Sequence, residues 1–457
     1  MFTSNRRNAP KNVTSFFLIL NFAHMKILVL GSGGREHALV WKLAQSAHTE
    51  TIFAAPGNPG MKKVMTQSGP VITIPLDLSD FESIGKAVLG HGINLLVVGP
   101  EEPLVKGLRD YFESVPALRA VTIVGPGKEG ARLEGSKDFA KRFMERHDIP
   151  TAAYRTFNAG EYEAACLFLN TLKPPYVLKA DGLAAGKGVL IPLTLQQATQ
   201  DLKELMGGKF GKAGEKVVIE EYLTGIEVSV FVLTDGKNYK ILPEAKDYKR
   251  IGEHDTGPNT GGMGAVSPVV FADAPFMKKV EERIILPTIR GLAAEGIDYR
   301  GFIFFGLMNC QGDPFVIEYN VRMGDPETEA VMLRLGGDLA MACLSLGTQS
   351  LDSVPLSAGN MAAVTVVCVS GGYPDTYKKG HPISGLENVT GVTAFHMGTT
   401  DQSGLVTAGG RVLALSALGA DPEEARRIVY SQIHRVSFNG IYYRNDIGLD
   451  LIEYGKG

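Results

Sequence analysis

The sequence predicts an α/β protein of several domains, because strands alternating with helices precede a region rich in hairpins. A chain of 457 residues exceeds the roughly 250–300 residues at which a single core stops growing, so we expect two to four domains. Hydrophobic residues make up 44% and charged residues 21%, which is typical of a globular protein rather than a disordered one.

The first folded region carries three aliphatic segments, each followed by a glycine turn. Lys26–Leu30 is read as a buried strand, with a helix expected from Arg35 to about Ser46. Ile93–Val98 and Val121–Val124 each end in Gly-Pro. Strands that alternate with helices imply a parallel sheet with right-handed crossovers. Ligands of such sheets bind beyond the carboxyl ends of the strands, where these glycine turns lie.

The turn Gly31-Ser32-Gly33-Gly34 only partly matches a dinucleotide-binding motif. The position of the third glycine is Glu36, and no acidic residue follows the second strand, around Thr51–Ala55. These departures disfavour a nicotinamide enzyme. Backbone N–H groups at a helix N-terminus still suit a single phosphate, and Arg35 could add a bidentate contact. A tight turn without any ligand is the alternative.

A second glycine-rich loop, Asp181–Gly188, joins two predicted strands of the middle region. Its spacing departs from a Walker A loop by one residue, and Gly188 stands where that motif has Ser or Thr. Small residues nevertheless let a backbone wrap phosphate oxygens, and Lys179 and Lys187 supply positive charge. We therefore predict a nucleotide-binding loop, with a plain mobile hairpin loop as the alternative.

The segment Glu318–Arg322 predicts a metal site, because alternate residues of a strand share one face. Glu318 and Asn320 offer the hard oxygen ligands that Mg²⁺ prefers, with phosphates and water completing its shell. Arg322 could hold a substrate carboxylate or a transferring phosphoryl group. Taken alone, E-x-N-x-R is common on solvated strand faces.

The segment Asp255–Gly264 is too rich in glycine for a regular element and too specific for a linker. Lys246, Lys249 and Arg250 precede it. A polar loop beside cations suits closure over an anionic substrate.

Charge and cysteine content restrict the kinds of binding partner and the cellular location that we expect. The net charge of −3 gives no reason to expect a nucleic acid or an anionic membrane as partner. The four cysteines are widely spaced without a CxxC pair, so we expect reduced thiols in a cytoplasmic protein. The apolar run Phe16–Leu20 is far shorter than the ~20 residues that span a bilayer. Residues 1–24 are expected to be a disordered extension or to precede a natural start at Met25; a presequence is the alternative.

Together the motifs resemble the ATP-grasp superfamily and, within it, the glycinamide ribonucleotide synthetase (phosphoribosylamine–glycine ligase) family. The matching segments are Ile27–Leu39, Lys179–Gly188, Gly257–Gly264 and Glu318–Thr328. The resemblance implies an N-terminal parallel-sheet (pre-ATP-grasp) domain, an ATP-grasp domain with a mobile lid subdomain, and a small C-terminal α/β domain. The expected bounds are residues 1–24 for the extension and 25–126 for the N-terminal domain. The ATP-grasp domain is expected at 127–350, with its lid at about 148–216, and the C-terminal domain at 351–457.

The resemblance also implies roles for individual residues. Glu318 and Asn320 would bind the metal, and Arg322 and Lys249 would act in catalysis. The residues expected to bind ATP are Lys137, Lys179, Gly182, Ala185, Gly186, Lys187, Gly188, Glu220, Glu221, Tyr222, Leu223 and Glu227. The residues expected to bind the second substrate are Gly31, Gly33, Gly34, Arg35, Glu36, Pro100, Glu101, Asn259, Thr260, Gly261 and Asp325.

The implied reaction, a step of de novo purine biosynthesis, joins glycine to 5-phosphoribosylamine through glycyl phosphate, giving glycinamide ribonucleotide, ADP and phosphate. ATP and Mg²⁺ or Mn²⁺ would be required, and the partners would be these small molecules, with the protein a monomer or homodimer. Another ATP-grasp carboxylate–amine ligase or carboxylase is the nearest alternative. A non-catalytic nucleotide-binding protein is a further one, but Glu318, Asn320 and the lid lysines are all present.

Overall fold

The computed structural model describes residues 25–183, 188–209, 215–402 and 404–455. The predicted extension, residues 1–24, lies outside the described residues. Among the described residues, no helix has the length and apolar character needed to cross a membrane.

The N-terminal region is a five-stranded parallel sheet, as predicted. Its central strand, Met25–Gly31, has a core of aliphatic side chains that are 0% exposed. The chain order reverses on either side of this strand, so the switch point lies between it and Leu95–Val98. The strands, in sheet order, are Ile72–Thr73, Thr49–Pro56, Met25–Gly31, Leu95–Val98 and Thr122–Val124. The helices are Gly34–Leu43, Phe81–His91, Glu101–Val105 and Leu108–Ser114.

Two antiparallel four-stranded sheets follow. The first has its own buried core, which includes Phe157, Leu178 and Ile219, separate from the main core of the protein. Its strands, in sheet order, are Val189–Leu190, Tyr176–Ala180, Lys216–Glu221 and Tyr154–Asn158. The strands of the second sheet are Tyr239–Ile241, Ile226–Thr234, Gly301–Cys310 and Asp313–Asn320. The helices of this region are Lys128–Gly135, Lys137–Arg146, Tyr162–Leu169, Leu195–Glu204, Ala274–Val280, Leu286–Ala294, Glu327–Arg334 and Leu339–Ser345. Two π-helical turns, Leu205–Lys209 and Glu281–Ile285, adjoin Leu195–Glu204 and Leu286–Ala294.

The third region is a five-stranded antiparallel sheet that crosses the predicted boundary at residue 351. Its strands are Lys246–Asp247, Gly264–Ser267, Ala362–Val369, Arg411–Gly419 and Thr393–His396. The first two belong to the predicted ATP-grasp stretch of the chain, so the segment between them, residues 248–263, is held against the C-terminal region. The helices here are Pro422–Ile433 and Leu449–Tyr454. Four strand pairs complete the fold: Met65–Thr66 with Gly69–Pro70, Arg250–Gly252 with Thr256–Asn259, Leu335–Gly337 with Leu356–Ala358, and Thr399–Thr400 with Val406–Thr407.

One local expectation was wrong. The glycine-rich segment does contain a regular element, because Thr256–Asn259 pairs with Arg250–Gly252 around an irregular register; the positive φ of Gly257 (+77°) accommodates the irregularity. The hairpin that joins Gly301–Cys310 to Asp313–Asn320 turns at Gln311-Gly312, both at positive φ. A two-residue turn of that kind matches the twist of the flanking strands, so residues 313 and 314 join the second strand.

Candidate active site

A cleft of about 760 Å³ lies between the two antiparallel four-stranded sheets. This volume is within the range of about 300–1,000 Å³ usual for ligand pockets. Val177 and Val189 line it from one sheet, and Phe304, Met308 and Ile317 line it from the other. The predicted ATP-binding residues that line this cleft are Lys179, Glu220, Glu221, Tyr222, Leu223 and Glu227.

A smaller cavity of about 200 Å³ adjoins the cleft and shares Lys179, Glu220 and Glu318 with it. Lys137, Gly182 and Gly188 line this cavity, and Lys137 Nζ donates to the Gly182 carbonyl at 3.1 Å. The predicted ATP-binding residues Ala185, Gly186 and Lys187 lie outside the described residues.

A β-bulge shapes the strand edge that carries the predicted metal ligands Glu318 and Asn320. The register shifts so that Gly306 faces Glu318 while Leu307 faces Val316, which leaves Ile317 without a direct partner. Both Ile317 and Glu318 therefore line the cleft, where strict alternation would have put them on opposite faces. The strand ends at Asn320, and Arg322, just past the strand end, lines the same cleft. The structure thus brings the three predicted residues together.

Four cations surround the Glu318 carboxylate. Burial raises its pKa, but Lys249, Lys179, Lys137 and Arg322 outweigh this effect and hold the pKa below its usual value. Glu318 is therefore ionised at neutral pH, as a ligand of Mg²⁺ or Mn²⁺ must be. Among the described residues, no group of three or more His, Cys, Asp or Glu side chains is placed to hold a metal alone. A cation bound at Glu318 and Asn320 would therefore need nucleotide oxygens and water as further ligands.

Glu220 anchors two lysines rather than facing the cleft freely. Its Oε1 lies 2.9 Å from Lys179 Nζ, and its Oε2 lies 3.1 Å from Lys141 Nζ. Lys179 also donates to the Ile317 carbonyl at 3.1 Å. Burial lowers the pKa of Lys141 to about 8. Sequence reasoning missed Lys141; its position one helical turn after Lys137 was the available signal.

Arg322 is held by two carboxylates from other regions of the chain. Its Nε lies 3.4 Å from Glu101 Oε2, and its Nη2 donates to Glu134 Oε1 at 2.8 Å. The other oxygen of Glu134 accepts from the Val321 N–H at 2.8 Å. Burial raises the pKa of Glu134 despite Arg322. Glu134 lies on the helix Lys128–Gly135 and belongs to no motif that could have predicted its role.

Lys249, a predicted catalytic residue, donates to Glu227 Oε2 at 2.6 Å. Burial lowers its pKa, but Asp247, Glu227 and Glu318 outweigh burial and hold the pKa well above its usual value. Lys249 is therefore a permanent cation and not a proton acceptor. Asp247, which the motif search missed, lines the same cleft, and burial raises its pKa to about 7.

The N-terminal glycine turn is built around Glu36. Gly33 N–H donates to Glu36 Oε2 at 2.7 Å, and Arg35 Nε donates to Glu36 Oε1 at 2.6 Å. Glu36 is 2% exposed, and a Cβ on Gly31 would lie 2.5 Å from Glu36 Cγ. The Glu36 side chain therefore supports the turn from inside the protein. Pro100 precedes the helix that begins at Glu101, one strand away from the turn.

The predicted substrate loop, residues 259–262, meets the N-terminal turn at Asp325. Thr260 Oγ1 donates to the Lys249 carbonyl at 2.8 Å and accepts from Gly262 N–H at 2.9 Å. A Cβ on Gly33 would lie 3.3 Å from Asp325 Oδ2. Asn259, Thr260, Gly261 and Asp325 all line the cleft. The predicted sites for the two substrates therefore adjoin.

Another cavity, of about 370 Å³, lies between the N-terminal and C-terminal regions. His37, Trp41 and His396 line it. None of the predicted site residues that the structure describes lines this cavity, so the cleft between the two sheets is the candidate active site.

A nucleotide-sized cleft between two antiparallel sheets, lined by lysines and by the predicted metal ligands, places the protein among the ATP-grasp enzymes. Residues 25–134, 135–328 and 363–450 match the N, ATP-grasp (A) and C domains of phosphoribosylglycinamide synthetase. The chain belongs to the phosphoribosylglycinamide synthetase family.

Curated relatives agree with this assignment. The chain is 45% identical to the phosphoribosylamine–glycine ligase of Vibrio parahaemolyticus over 434 residues, covering 94% of this chain and 99% of that protein. It is 44% identical to the ligase of the same name from Escherichia coli over 436 residues, with the same coverage of both.

Solved structures share the fold. The phosphoribosylamine–glycine ligase of Thermotoga maritima superposes with a TM-score of 0.78 at 37% identity, covering 93% of this chain and 100% of that one. The biotin carboxylase domain of 2-oxoglutarate carboxylase from Hydrogenobacter thermophilus gives a TM-score of 0.67 at 17% identity, covering 94% of each chain. The second comparison concerns the fold alone.

Proposed function

We infer that this protein is the ATP-dependent ligase that joins glycine to 5-phosphoribosylamine in de novo purine biosynthesis. The observation that carries the inference is the meeting of two sites: the cleft that holds Glu318 and Asn320 also reaches Asp325, which lies against Gly33 of the N-terminal turn. A phosphoryl donor and a phosphorylated amine would thus share one cleft. The identity to ligases of this name over nearly the whole chain supports the same substrates.

The reaction has two steps. A glycine carboxylate oxygen attacks the γ-phosphorus of ATP, and ADP leaves as glycyl phosphate forms. The amine of 5-phosphoribosylamine then attacks the acyl carbon, inorganic phosphate leaves with the electrons of the broken C–O bond, and the nitrogen loses a proton. The activation is needed because phosphate is a far better leaving group than hydroxide.

Positive charge on the residues of the cleft serves the first step. Lys137 and Lys179 would hold phosphate oxygens, while Arg322 and Lys249 would stabilise negative charge on the transferring group or on the glycine carboxylate. Glu220 keeps Lys179 in place, and Glu134 keeps Arg322 in place. These contacts fix the cations before the substrates bind, so the protein reorganises little during the reaction.

Glu318 and Asn320 would hold Mg²⁺ or Mn²⁺, whose charge would neutralise the phosphates. The residues around the N-terminal turn, Arg35 and Glu101 among them, would bind 5-phosphoribosylamine. The first antiparallel sheet, which runs from Tyr154–Asn158 to Lys216–Glu221 in the chain, belongs to the predicted lid and has a core separate from the main core. It would close over ATP and keep water from glycyl phosphate.

The four cysteines are free, which supports the proposal that the protein works in the reducing cytoplasm.

The test is ADP release by the purified protein with Mg²⁺, ATP and freshly prepared 5-phosphoribosylamine, with and without glycine. We expect ADP release that requires both co-substrates, with glycinamide ribonucleotide identified by mass spectrometry. ATP binding without glycine-dependent turnover would reject this proposal and favour another ATP-grasp ligase or a carboxylase; bicarbonate in place of glycine tests the latter directly.

A further inference from the structure

The predicted substrate loop, residues 259–262, is held from the C-terminal region through both backbone polar groups of Gly261. The Gly261 N–H donates to the Tyr373 hydroxyl at 2.9 Å. The Gly261 carbonyl accepts from Arg411 Nη1. A Cβ at position 261 would lie 2.9 Å from the guanidinium carbon of Arg411, so the loop and the guanidinium are in close contact.

Arg411 also holds the acidic segment of the ATP-grasp region. Its Nη1 lies 3.0 Å from Asp325 Oδ1 and donates to the Asp325 carbonyl at 2.8 Å. The carboxylates of Asp325 and Glu329 and the Tyr373 hydroxyl outweigh burial and raise the pKa of Arg411, so its charge is permanent. The other oxygen of Asp325 lies against Gly33 of the N-terminal turn. Through these contacts one side chain ties together three regions of the chain.

The rest of the segment before the loop is anchored by the C-terminal region as well. Arg444, which is 1% exposed, bonds Asp255 Oδ1 at 2.7 Å and the Arg250 carbonyl at 3.0 Å. Tyr442 donates to the Ile251 carbonyl at 3.0 Å. Thr260 fixes the start of the loop to the Lys249 carbonyl, and Tyr373 and Arg411 hold the next residue, Gly261, from the C-terminal region.

We propose that Arg411 is a positioning residue for the phosphorylated amine substrate, fixing the loop at Gly261 and Asp325 against the N-terminal turn. Arg411 does not line the cleft, whereas Gly261 and Asp325 do, so it acts through them. The C-terminal region is then a required part of the substrate site. The inference rests on the proposed function, since it concerns the binding of 5-phosphoribosylamine.

The test compares steady-state constants of Arg411→Gln, Arg411→Lys and Tyr373→Phe with those of the wild-type protein. Arg411→Gln is expected to raise KM for 5-phosphoribosylamine about tenfold or more, because hydrogen bonds to a charged donor are lost. KM for ATP and for glycine should stay within about twofold of the wild-type values. Arg411→Lys keeps the charge with fewer donors and should give an intermediate value. Tyr373→Phe should raise the same KM without disturbing packing.

The matched control is Lys62→Ala. Lys62 and Asp401 form an ion pair of 2.9 Å between the same N-terminal and C-terminal regions, but both side chains are about half exposed, at 45% and 44%. All three constants of this variant should match the wild type, because exposed pairs contribute little.

Two results would overturn the proposal: a KM for 5-phosphoribosylamine in Arg411→Gln within about twofold of wild type, or an equal rise of all three KM values. If Arg411→Gln does not fold, Arg411→Lys and Tyr373→Phe decide the question by the same criteria. A wild-type protein that forms no glycinamide ribonucleotide would instead reject the proposed function, which distinguishes the two failures.

Discussion

Arg322 Nη2 donates to Glu134 Oε1 at 2.8 Å across 188 positions of the chain. The same carboxylate accepts from the backbone N–H of Val321. Glu134 therefore fixes both the direction of the guanidinium and the chain that carries it, at the point where the strand of Glu318 and Asn320 has just ended.

Replacing Glu134 with Gln should lower kcat about 10- to 100-fold, since a hydrogen bond to a charged group is worth about 1.5–3 kcal/mol. ATP affinity should change little, because the lysines of the cleft keep their partners. Steady-state kinetics and ATP titration test this. Glu102→Gln, which alters only an exposed ion pair with Lys106, is the control. Wild-type kcat in Glu134→Gln would show that Arg322 needs no such support.

Glu318→Ala should abolish ATP turnover while leaving the fold intact, because the charged metal ligand is lost and no buried apolar packing is removed. Circular dichroism and thermal unfolding check the fold, and ADP release checks turnover. The isosteric Glu318→Gln should also lose turnover at millimolar Mg²⁺. Near-normal activity in either variant would refute the proposed metal site.

Lys141→Met should destabilise the protein by about 1.5–3 kcal/mol, the usual value of a hydrogen bond to a charged group, because Glu220 keeps Lys179 as its cation. The double variant Lys141→Met with Glu220→Gln should be less destabilised than the sum of the single changes, because the Lys141–Glu220 contact is lost in each single variant and is counted twice in their sum. Urea unfolding measures the loss of stability in the single variants and in the double variant. Strict additivity would mean that Lys141 and Glu220 do not interact energetically.

The raised pKa of Asp247 predicts that the stability of the protein depends on pH. Its pKa is raised to about 7 in the folded protein, chiefly by burial, and is about 3.9 in the unfolded chain. The folded state therefore binds the extra proton between these values. The contribution of Asp247 to stability is fully present below about pH 4 and is lost as the pH rises through about 7.

Measurements of the free energy of unfolding from pH 4 to pH 8 test whether the stabilising contribution of Asp247 falls as the pH rises. The wild-type protein should lose stability relative to Asp247→Asn as the pH rises across that window. The control variant Asp375→Asn, at an exposed position, should show the same dependence of the unfolding free energy on pH as the wild type. An Asp247→Asn curve that also stays parallel to the wild type would contradict the raised pKa.

The sequence by itself determined the fold class and the kind of site. Aliphatic strands that alternate with helices and end in glycine turns predict a parallel sheet, and the E-x-N-x-R segment carries its predicted metal ligands at alternate positions of one strand. Such features depend only on the period and spacing of residues along the chain, so they can be predicted before the tertiary structure is known. The glycine turn at Gly31–Gly34 is local in the same sense.

Tertiary structure alone decided which groups support those residues. Lys141, Glu134 and Arg411 carry no motif, yet each bonds a site residue: Lys141 pairs with Glu220, Glu134 with Arg322, and Arg411 with Asp325. The bulge at Ile317 likewise arises from pairing with a neighbouring strand. A buried charge must find a partner wherever the folded chain places one, and sequence separation says nothing about which partner that will be.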